Sequence, residues 1–281
     1  MNRIERYRYP GRFYILATCL PWALWFAAGY ISRIPPLDDR HLKMASLVAF
    51  LGLLSPMVVA FWLIRKDPEL RADVLGRLLN FGSARPLYYV LACLLMPASI
   101  LLAQAISLLF GYSAAQFVIT GHFTFSSGVF PVWFMLLIAP TIEELAWHSY
   151  GTDCLRSRMN LFYTSLLFGV YWAVWHMPLA GIRDYYQSNL VATGWLYGVN
   201  FLVSILPFVL LMNWLYYKTQ RNILVAIVFH ITAVYFNEIF ATHPDSKVIQ
   251  TILLLILAAV LVIRDRDFFF GRQYALLPAQ R

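Results

Sequence analysis

The sequence predicts an all-α polytopic membrane protein, a bundle of about eight transmembrane helices. Hydrophobic residues make up 60% of its 281 residues and charged residues only 13%, with a mean hydropathy of +0.64. A soluble domain carries about 25% charged residues. Apolar runs of about 20 residues recur, the length that a helix needs to cross a bilayer. No loop is long enough to form a second domain, so we expect residues 1–281 to form a single transmembrane domain.

The apolar runs place the expected spans. Segment 65–85 between the second and third spans is charged, and Leu70, Val74, Leu75, Leu78 and Leu79 recur in it at helical spacing. We expect a short interfacial helix there, on the inner leaflet. The loop 112–128 is uncharged and is expected outside. The spans are expected at roughly 13–32, 44–64, 87–111, 129–155, 160–180, 194–217, 221–241 and 247–264.

The distribution of Lys and Arg predicts the orientation. Alternate connections that include both termini carry 17 basic residues, and those on the opposite side carry five, Arg33, Arg40, Lys43, Arg183 and Lys247. Basic loops stay in the cytoplasm, so both termini are expected there, at the inner membrane if the source is bacterial. The net charge of +8 lies at helix ends. It therefore indicates a bilayer, and not nucleic acid, as the partner.

The stretch from Ile138 to Pro178 holds the ionisable residues that are hardest to explain structurally. Glu143, Glu144 and His176 lie in segments apolar enough to enter a bilayer, where such groups mark functional sites. Glu143 and His176 are each roughly 16 residues, or about 25 Å of helix, from the centre of the turn between the two runs. An antiparallel helical pair would bring them to the same depth.

Two further histidines belong to the same set of candidates. Glu144 and His148 are four residues apart and share a helix face, so they are expected to form a hydrogen bond. His230 lies in the seventh expected span and can reach the same half of the bundle. The competing interpretations are ordinary ones, since a lone buried histidine is usually a core residue and a Glu-Glu pair at a helix end is usually a solvated cap.

These residue types suit hydrolysis by activated water. A buried carboxylate is a useful general base, one histidine can orient the water, and another can stabilise an oxyanion. No serine-hydrolase elbow and no His-Glu-x-x-His zinc motif is present. We expect no cofactor, although Glu144, His148, His176 and His230 are of the types that zinc accepts.

The motifs resemble those of the CPBP family, the CAAX-protease and bacteriocin-processing intramembrane proteases. Glu143-Glu144-Leu-Ala-Trp-His148 is similar to its Glu-Glu-x-x-x-Arg motif, Trp172-Ala-Val-Trp-His176 to its aromatic-x-x-x-His motif, and the segment ending in His230 to its third motif. The likeness covers about 130–240. It implies a cytoplasm-facing cavity in which Glu143 activates water, His176 assists and His230 belongs to the oxyanion site. It also implies that Glu144 pairs with residue 148.

Two departures keep other functions open. His148 stands where the family has arginine, and Val234 stands where it has Asn or Asp. An intramembrane endopeptidase is the first expectation. A non-proteolytic scaffold or regulator and a proton-coupled carrier are the alternatives. The substrate is expected to be a membrane-associated peptide or protein. Prenylated C-terminal tails, bacteriocin leaders and other membrane peptides are all compatible with the sequence.

Overall fold

The computed structural model describes residues 3–78, 80 and 85–271, and helices dominate that part of the chain. Its only β pairing there is an isolated antiparallel bridge between Ile119 and Phe240. The predicted all-α fold is confirmed. The α-helices are α1 (Pro10–Ile31), α2 (Asp39–Ile64), α3 (Pro68–Leu78), α4 (Pro86–Ser107), α5 (Val132–Ala146), α6 (Thr152–Arg156), α7 (Leu161–Trp175), α8 (Tyr186–Thr193), α9 (Trp195–Lys218), α10 (Ile223–Ile239), α11 (Pro244–Arg264) and α12 (Arg266–Phe270).

Five helices of the described chain are long and apolar enough to cross a membrane, namely α1, α2, α4 with the 3-10 turn after it, α9 and α11. A sixth is obtained if α7 and α8, which are bent by 84° relative to each other, count as one broken span. Helix α10 has 17 residues and α5 has 15, shorter than a full span. A polytopic membrane fold is thus confirmed, whereas the count of eight spans is not.

The breaks in the apolar runs explain this difference. The expected span 129–155 is one helical course interrupted by a π turn at Trp147–Gly151, between α5 and α6. The expected span 160–180 leaves the α conformation after α7, because Pro178 disfavours helix at the residue before it. The segment 181–193, which lies between two of the expected spans, contains α8.

The first and last described segments of the chain come together at one end of the bundle. Arg158, in the turn after α6, donates hydrogen bonds to the backbone oxygens of Tyr7 and Arg8 at 3.3 and 2.7 Å. Arg156 donates to the backbone oxygen of Gly271 at 3.3 Å. We call this the terminal end. Arg272 and Arg281, two of the basic residues expected on the same side as the termini, lie outside the described residues.

The long connections meet at the other end, which we call the loop end. The backbone N–H of Ser126 donates to Asp184 O at 2.9 Å, and the side-chain amide of Asn189 donates to Thr124 O at 2.8 Å. These bonds tie the segment before α5 to the segment around α8. The long connections at the loop end are therefore held to each other by hydrogen bonds.

Helix α3 packs on the bundle at the terminal end. Leu70 and Val74 are buried in the core, as their helical spacing predicts, but Leu75 is 65% exposed. Leu79 lies outside the described residues. The buried face of α3 also carries Asp73 and Arg77. The helix is therefore held by charge as well as by apolar packing, which the sequence pattern did not predict.

Asp73 and Arg77 belong to a buried cluster of two carboxylates and two guanidinium groups. Arg221 contacts Asp153 at 2.5 Å and Asp73 at 2.9 Å, and Arg77 contacts Asp73 at 3.0 Å and Asp153 at 3.1 Å. All four side chains are at most 6% exposed. The two positive and two negative charges balance, so the cluster buries no net charge. This buried ion cluster joins α3, α6 and the turn before α10.

Arg77 also stabilises the π turn. Its guanidinium donates to the backbone oxygens of His148 and Ser149 at 3.0 and 3.2 Å, and the Tyr216 hydroxyl donates to the first of these oxygens at 2.9 Å. A π turn disturbs the regular ladder of backbone bonds, and these donors satisfy carbonyls inside it. A Cβ on Gly151 would lie 2.6 Å from the Phe13 ring, so α1 packs here only because that residue is glycine.

Removing Arg77 should destabilise the protein strongly. Arg77→Met leaves two buried carboxylates short of one cation, a class of change that costs about 3–5 kcal/mol. Arg71→Met, on the exposed side of the same helix, is the control and should change stability by less than about 0.5 kcal/mol. Denaturant unfolding in detergent micelles compares the two. Equal stability of the two variants would contradict the assigned role of the buried ion cluster.

Candidate active site

Glu143 occupies α5 one helical turn before the π turn, and its carboxylate faces α7. The Trp172 indole N–H donates to Glu143 Oε2 at 3.0 Å, and His176 Nε2 lies 4.0 Å from the same oxygen. Both Glu143 and His176 are 9% exposed. The prediction that these two residues lie at one depth is confirmed. A separation of 4.0 Å is too long for a direct hydrogen bond and suits a shared water molecule.

The backbone sets the tautomer of His176. Its Nδ1 lies 2.7 Å from the carbonyl oxygen of Trp172, one turn earlier in α7. A carbonyl only accepts, so Nδ1 carries the proton and donates. In the neutral ring Nε2 then has a free lone pair, directed to the Glu143 side. His176 can therefore accept a hydrogen bond from a water that Glu143 also holds.

Glu144, the neighbouring carboxylate, points away from Glu143 and is fully buried. His230 Nδ1 donates to its Oε1 at 2.8 Å, and His148 Nδ1 contacts its Oε2. The predicted Glu144–His148 hydrogen bond is confirmed. Both carboxylate oxygens are thus occupied, one by α10 and one by the π turn. Glu144 joins these elements and has no free oxygen for a reacting group.

His148 has a second partner that sequence reasoning missed. Its Nε2 lies 3.0 Å from Asn213 Oδ1 of α9, and the Asn213 amide donates to Ser165 Oγ of α7 at 2.9 Å. All three side chains are fully buried. The signal available in the sequence was Asn213 itself, an amide within the apolar run of α9. Trp172, the donor to Glu143, was noted only as an aromatic neighbour of His176.

The site lies on the wall of a largely apolar cavity of about 270 Å³. Glu143, His176 and His230 all line it, whereas Glu144 and His148 do not. The structure therefore divides the five predicted site residues into three that reach the cavity and two behind it. Other lining residues, such as Ser126, Arg183 and Pro244, belong to the loop end, so the cavity opens away from the terminal end.

The lining of the cavity also shows what Val234 changes. Val234 and Asn237 of α10 both line it, but the Asn237 amide donates to Ala233 O at 3.0 Å. One N–H of Asn237 is thus bonded to its own helix, about one turn beyond position 234. The departure noted in the sequence stands.

The four candidate zinc ligands do not form a metal site. Glu144 has both oxygens bonded to imidazoles, and His148 lies behind it with both ring nitrogens occupied. In the described part of the chain no group of three His, Cys, Asp or Glu side chains is arranged to hold a metal ion. These residues therefore do not fit zinc, and no step of the chemistry below is assigned to one.

The fold and the site together define a class of protein. A polytopic helical bundle places a carboxylate beside a histidine in a cavity among its apolar helices, and a second carboxylate fixes another histidine on the same wall. These features are typical of an intramembrane hydrolase.

Two comparisons with known proteins identify the family. The family model for type II CAAX prenyl endopeptidase, Rce1-like, matches residues 124–236. A protein of Methanococcus maripaludis named CAAX prenyl protease 2 is 36% identical over 272 residues, which cover 96% of this chain and 99% of that protein. The chain belongs to this Rce1-like branch of the CPBP family, and it is an intramembrane endopeptidase.

The contacts of His148 predict how replacements behave. His148→Ala leaves Glu144 Oε2 and Asn213 Oδ1 buried without donors. It should therefore lower the unfolding temperature and reduce the rate of peptide cleavage at least tenfold. His148→Arg, which restores the motif residue, supplies donors to both oxygens and should retain part of the activity. Cleavage of a membrane peptide and thermal unfolding in detergent test both variants. A folded arginine variant without any cleavage would show that His148 has a role of its own.

Proposed function

We propose that Glu143 activates a water molecule that hydrolyses a peptide bond of a membrane-anchored substrate. The observation that supports this most directly is the placement of Glu143 Oε2 and His176 Nε2, 4.0 Å apart on the cavity wall. Glu143 would take a proton from the water as the water oxygen bonds to the carbonyl carbon. That proton would then pass to the amide nitrogen as the C–N bond breaks.

The two histidines have different tasks in this proposal. His176, whose Nδ1 proton is held by the Trp172 carbonyl, orients the water through Nε2. His230 is anchored through Nδ1 to Glu144 and would donate to the oxyanion through Nε2. That ring must then carry both protons, and the carboxylate of Glu144 supplies the compensating charge. Glu144 and His148 hold the site without touching the substrate.

The substrate class follows from the family. We propose a peptide or protein with a prenylated C-terminal tail, because the relative from Methanococcus maripaludis is named a prenyl protease. Large apolar side chains such as Phe50, Phe130 and Leu254 line the cavity and suit a lipid chain. The scissile bond would lie where Glu143 and His176 meet. No cofactor is required in this scheme.

The structure brings two orientation hypotheses into conflict. The 17 basic residues beside the termini favour a cytoplasmic terminal end, while the family resemblance implies a cytoplasm-facing cavity. The cavity opens at the loop end, opposite the termini. Both cannot hold for one molecule. We retain the charge-based orientation, with cytoplasmic termini, because many independent residues contribute to it.

Cysteine labelling decides between the two orientations. In a background without Cys19, Cys93 and Cys154, cysteine at His122 should react with a membrane-impermeant maleimide in intact cells. Cysteine at Ser157 should react only after permeabilisation. The reverse pattern would place the cavity mouth in the cytoplasm and refute the orientation drawn from charge.

Replacing the proposed base should stop the chemistry and spare the fold. Glu143→Gln keeps an oxygen for the Trp172 indole but cannot take a proton from water. Cleavage of a farnesylated peptide should therefore fall by roughly 10²–10⁴-fold, with unfolding close to that of the parent. Glu69→Gln, on the exposed side of α3, is the matched control.

The same assay tests whether cleavage depends on a metal ion. A metal chelator such as 1,10-phenanthroline should leave the parent's rate unchanged. Full activity of Glu143→Gln, or complete inhibition by the chelator that added zinc reverses, would overturn the proposed mechanism.

A further inference from the structure

A second pair of charges lines the same cavity, nearer the loop end. Glu238 is at the end of α10 and Lys247 is in the first turn of α11. Lys247 Nζ lies 3.7 Å from Glu238 Oε1, and their side chains are 16% and 3% exposed. A charged pair this well buried among apolar walls is costly to maintain, and the proposed chemistry at Glu143 does not use it.

The hydrogen bonding of this pair is incomplete. Glu238 Oε2 accepts from the backbone N–H of Thr124 at 3.1 Å and from its hydroxyl at 2.7 Å. Glu238 Oε1 is buried and accepts no hydrogen bond from any described residue. The 3.7 Å to Lys247 exceeds a hydrogen bond, and the ammonium lies 5.8 Å from the centre of the Tyr186 ring. The Tyr186 side chain is a further hydrogen-bond partner of the ammonium. An ammonium has three donors, so Lys247 retains capacity for an acceptor that enters the cavity.

Arg183, a second cation among the described lining residues, has partners of its own. Arg183 Nη2 donates to the backbone oxygen of Asp38 at 3.3 Å, and its Nε lies 3.4 Å from Asp184 Oδ2. Arg183 thus fastens the loop between α1 and α2. Lys247 is the better placed of the two cations to receive an anionic group of a substrate.

The spacing along α10 gives the distance from the reacting centre. His230 and Glu238 are eight residues apart on one helix, which corresponds to about 12 Å at 1.5 Å per residue. An extended peptide covers roughly 3.3–3.6 Å per residue. Three to four extended residues therefore cover the distance along α10 from His230 to Glu238, the partner of Lys247.

We propose that Lys247 binds the C-terminal carboxylate of the substrate, roughly three to four residues beyond the scissile bond, and so determines where the tail is cut. The proposal rests on the proposed function, since it takes Glu143 as the reacting centre. Glu238, fixed by Thr124, holds the ammonium in place and balances its charge before the substrate arrives. Lys247 then acts as a specificity-determining residue that measures the distance between the free carboxylate and the bond that is cleaved.

The test compares two farnesylated peptides with the same three-residue tail, one ending in a free carboxylate and the other in a carboxamide. The parent should cleave the acid roughly 10- to 100-fold better in kcat/KM, the range expected for one charge-assisted hydrogen bond. Lys247→Met should lose this preference because kcat/KM falls for the acid peptide and stays unchanged for the carboxamide. Lys247→Arg should retain part of the preference. Lys43→Met removes an exposed charge at the same end and should keep the preference of the parent.

Equilibrium binding separates this proposal from the proposed chemistry. Fluorescent versions of both peptides are titrated into Glu143→Gln protein, with and without Lys247→Met. If the acid preference is the same with and without Lys247, in cleavage and in binding, the carboxylate site is refuted and hydrolysis by Glu143 stands. If Lys247 controls binding but the parent cleaves neither peptide, the site stands and the proposed function fails. A parent that shows no acid preference in either measurement also refutes the site.

Discussion

The buried carboxylate of Glu144 is the contact on which the catalytic half of the bundle depends. It is shared between His230 of α10 and His148 of the π turn, and His148 extends the chain to Asn213 of α9 and Ser165 of α7. A carboxylate among apolar helices is strongly stabilised when both oxygens are bonded. Each partner is therefore fixed in position by the need to satisfy the others, and the cavity wall becomes rigid as a result.

The π turn connects this polar chain to the rest of the molecule. It lies between Glu144 and the α6 residue Asp153, so one helical course carries both the site and a member of the buried ion cluster. Arg77 contacts Asp153 and also the carbonyls of the turn. Packing of α3 at the terminal end is thus coupled to the geometry of Glu143 and Glu144. Replacing Arg77 should therefore alter the site, although Arg77 does not line the cavity.

Much of the site could be predicted from sequence because its residues are ionisable and lie in apolar runs. The equal register of Glu143 and His176 about one turn gave their proximity, and the i,i+4 spacing gave the Glu144–His148 bond. Residue 148 shows how the departure from the family motif is accommodated. A histidine occupies one oxygen of Glu144, His230 takes the other, and Asn213 completes the ring's bonding.

What could not be predicted depends on breaks in regular helix and on long-range contacts. The π turn has no signature in hydropathy, and α8 lies in the short segment between two expected spans. The ion cluster required knowledge of which ends of α3, α6 and α10 meet. The position of the cavity mouth could not be predicted either, because its lining residues are distant along the chain. Ser126, Tyr186 and Lys247 are examples.

Glu143 and Glu144 are adjacent and chemically identical, yet the proposed chemistry belongs to Glu143 and the structural role to Glu144. The most direct measurement compares Glu144→Gln with Glu143→Gln for thermal unfolding in detergent and for equilibrium binding of a farnesylated peptide. Glu144→Gln should unfold at a clearly lower temperature, because the amide cannot accept from both histidines. Glu143→Gln should unfold like the parent and bind the peptide normally. A Glu144→Gln protein with parental stability, beside a destabilised Glu143→Gln protein, would contradict this division of roles.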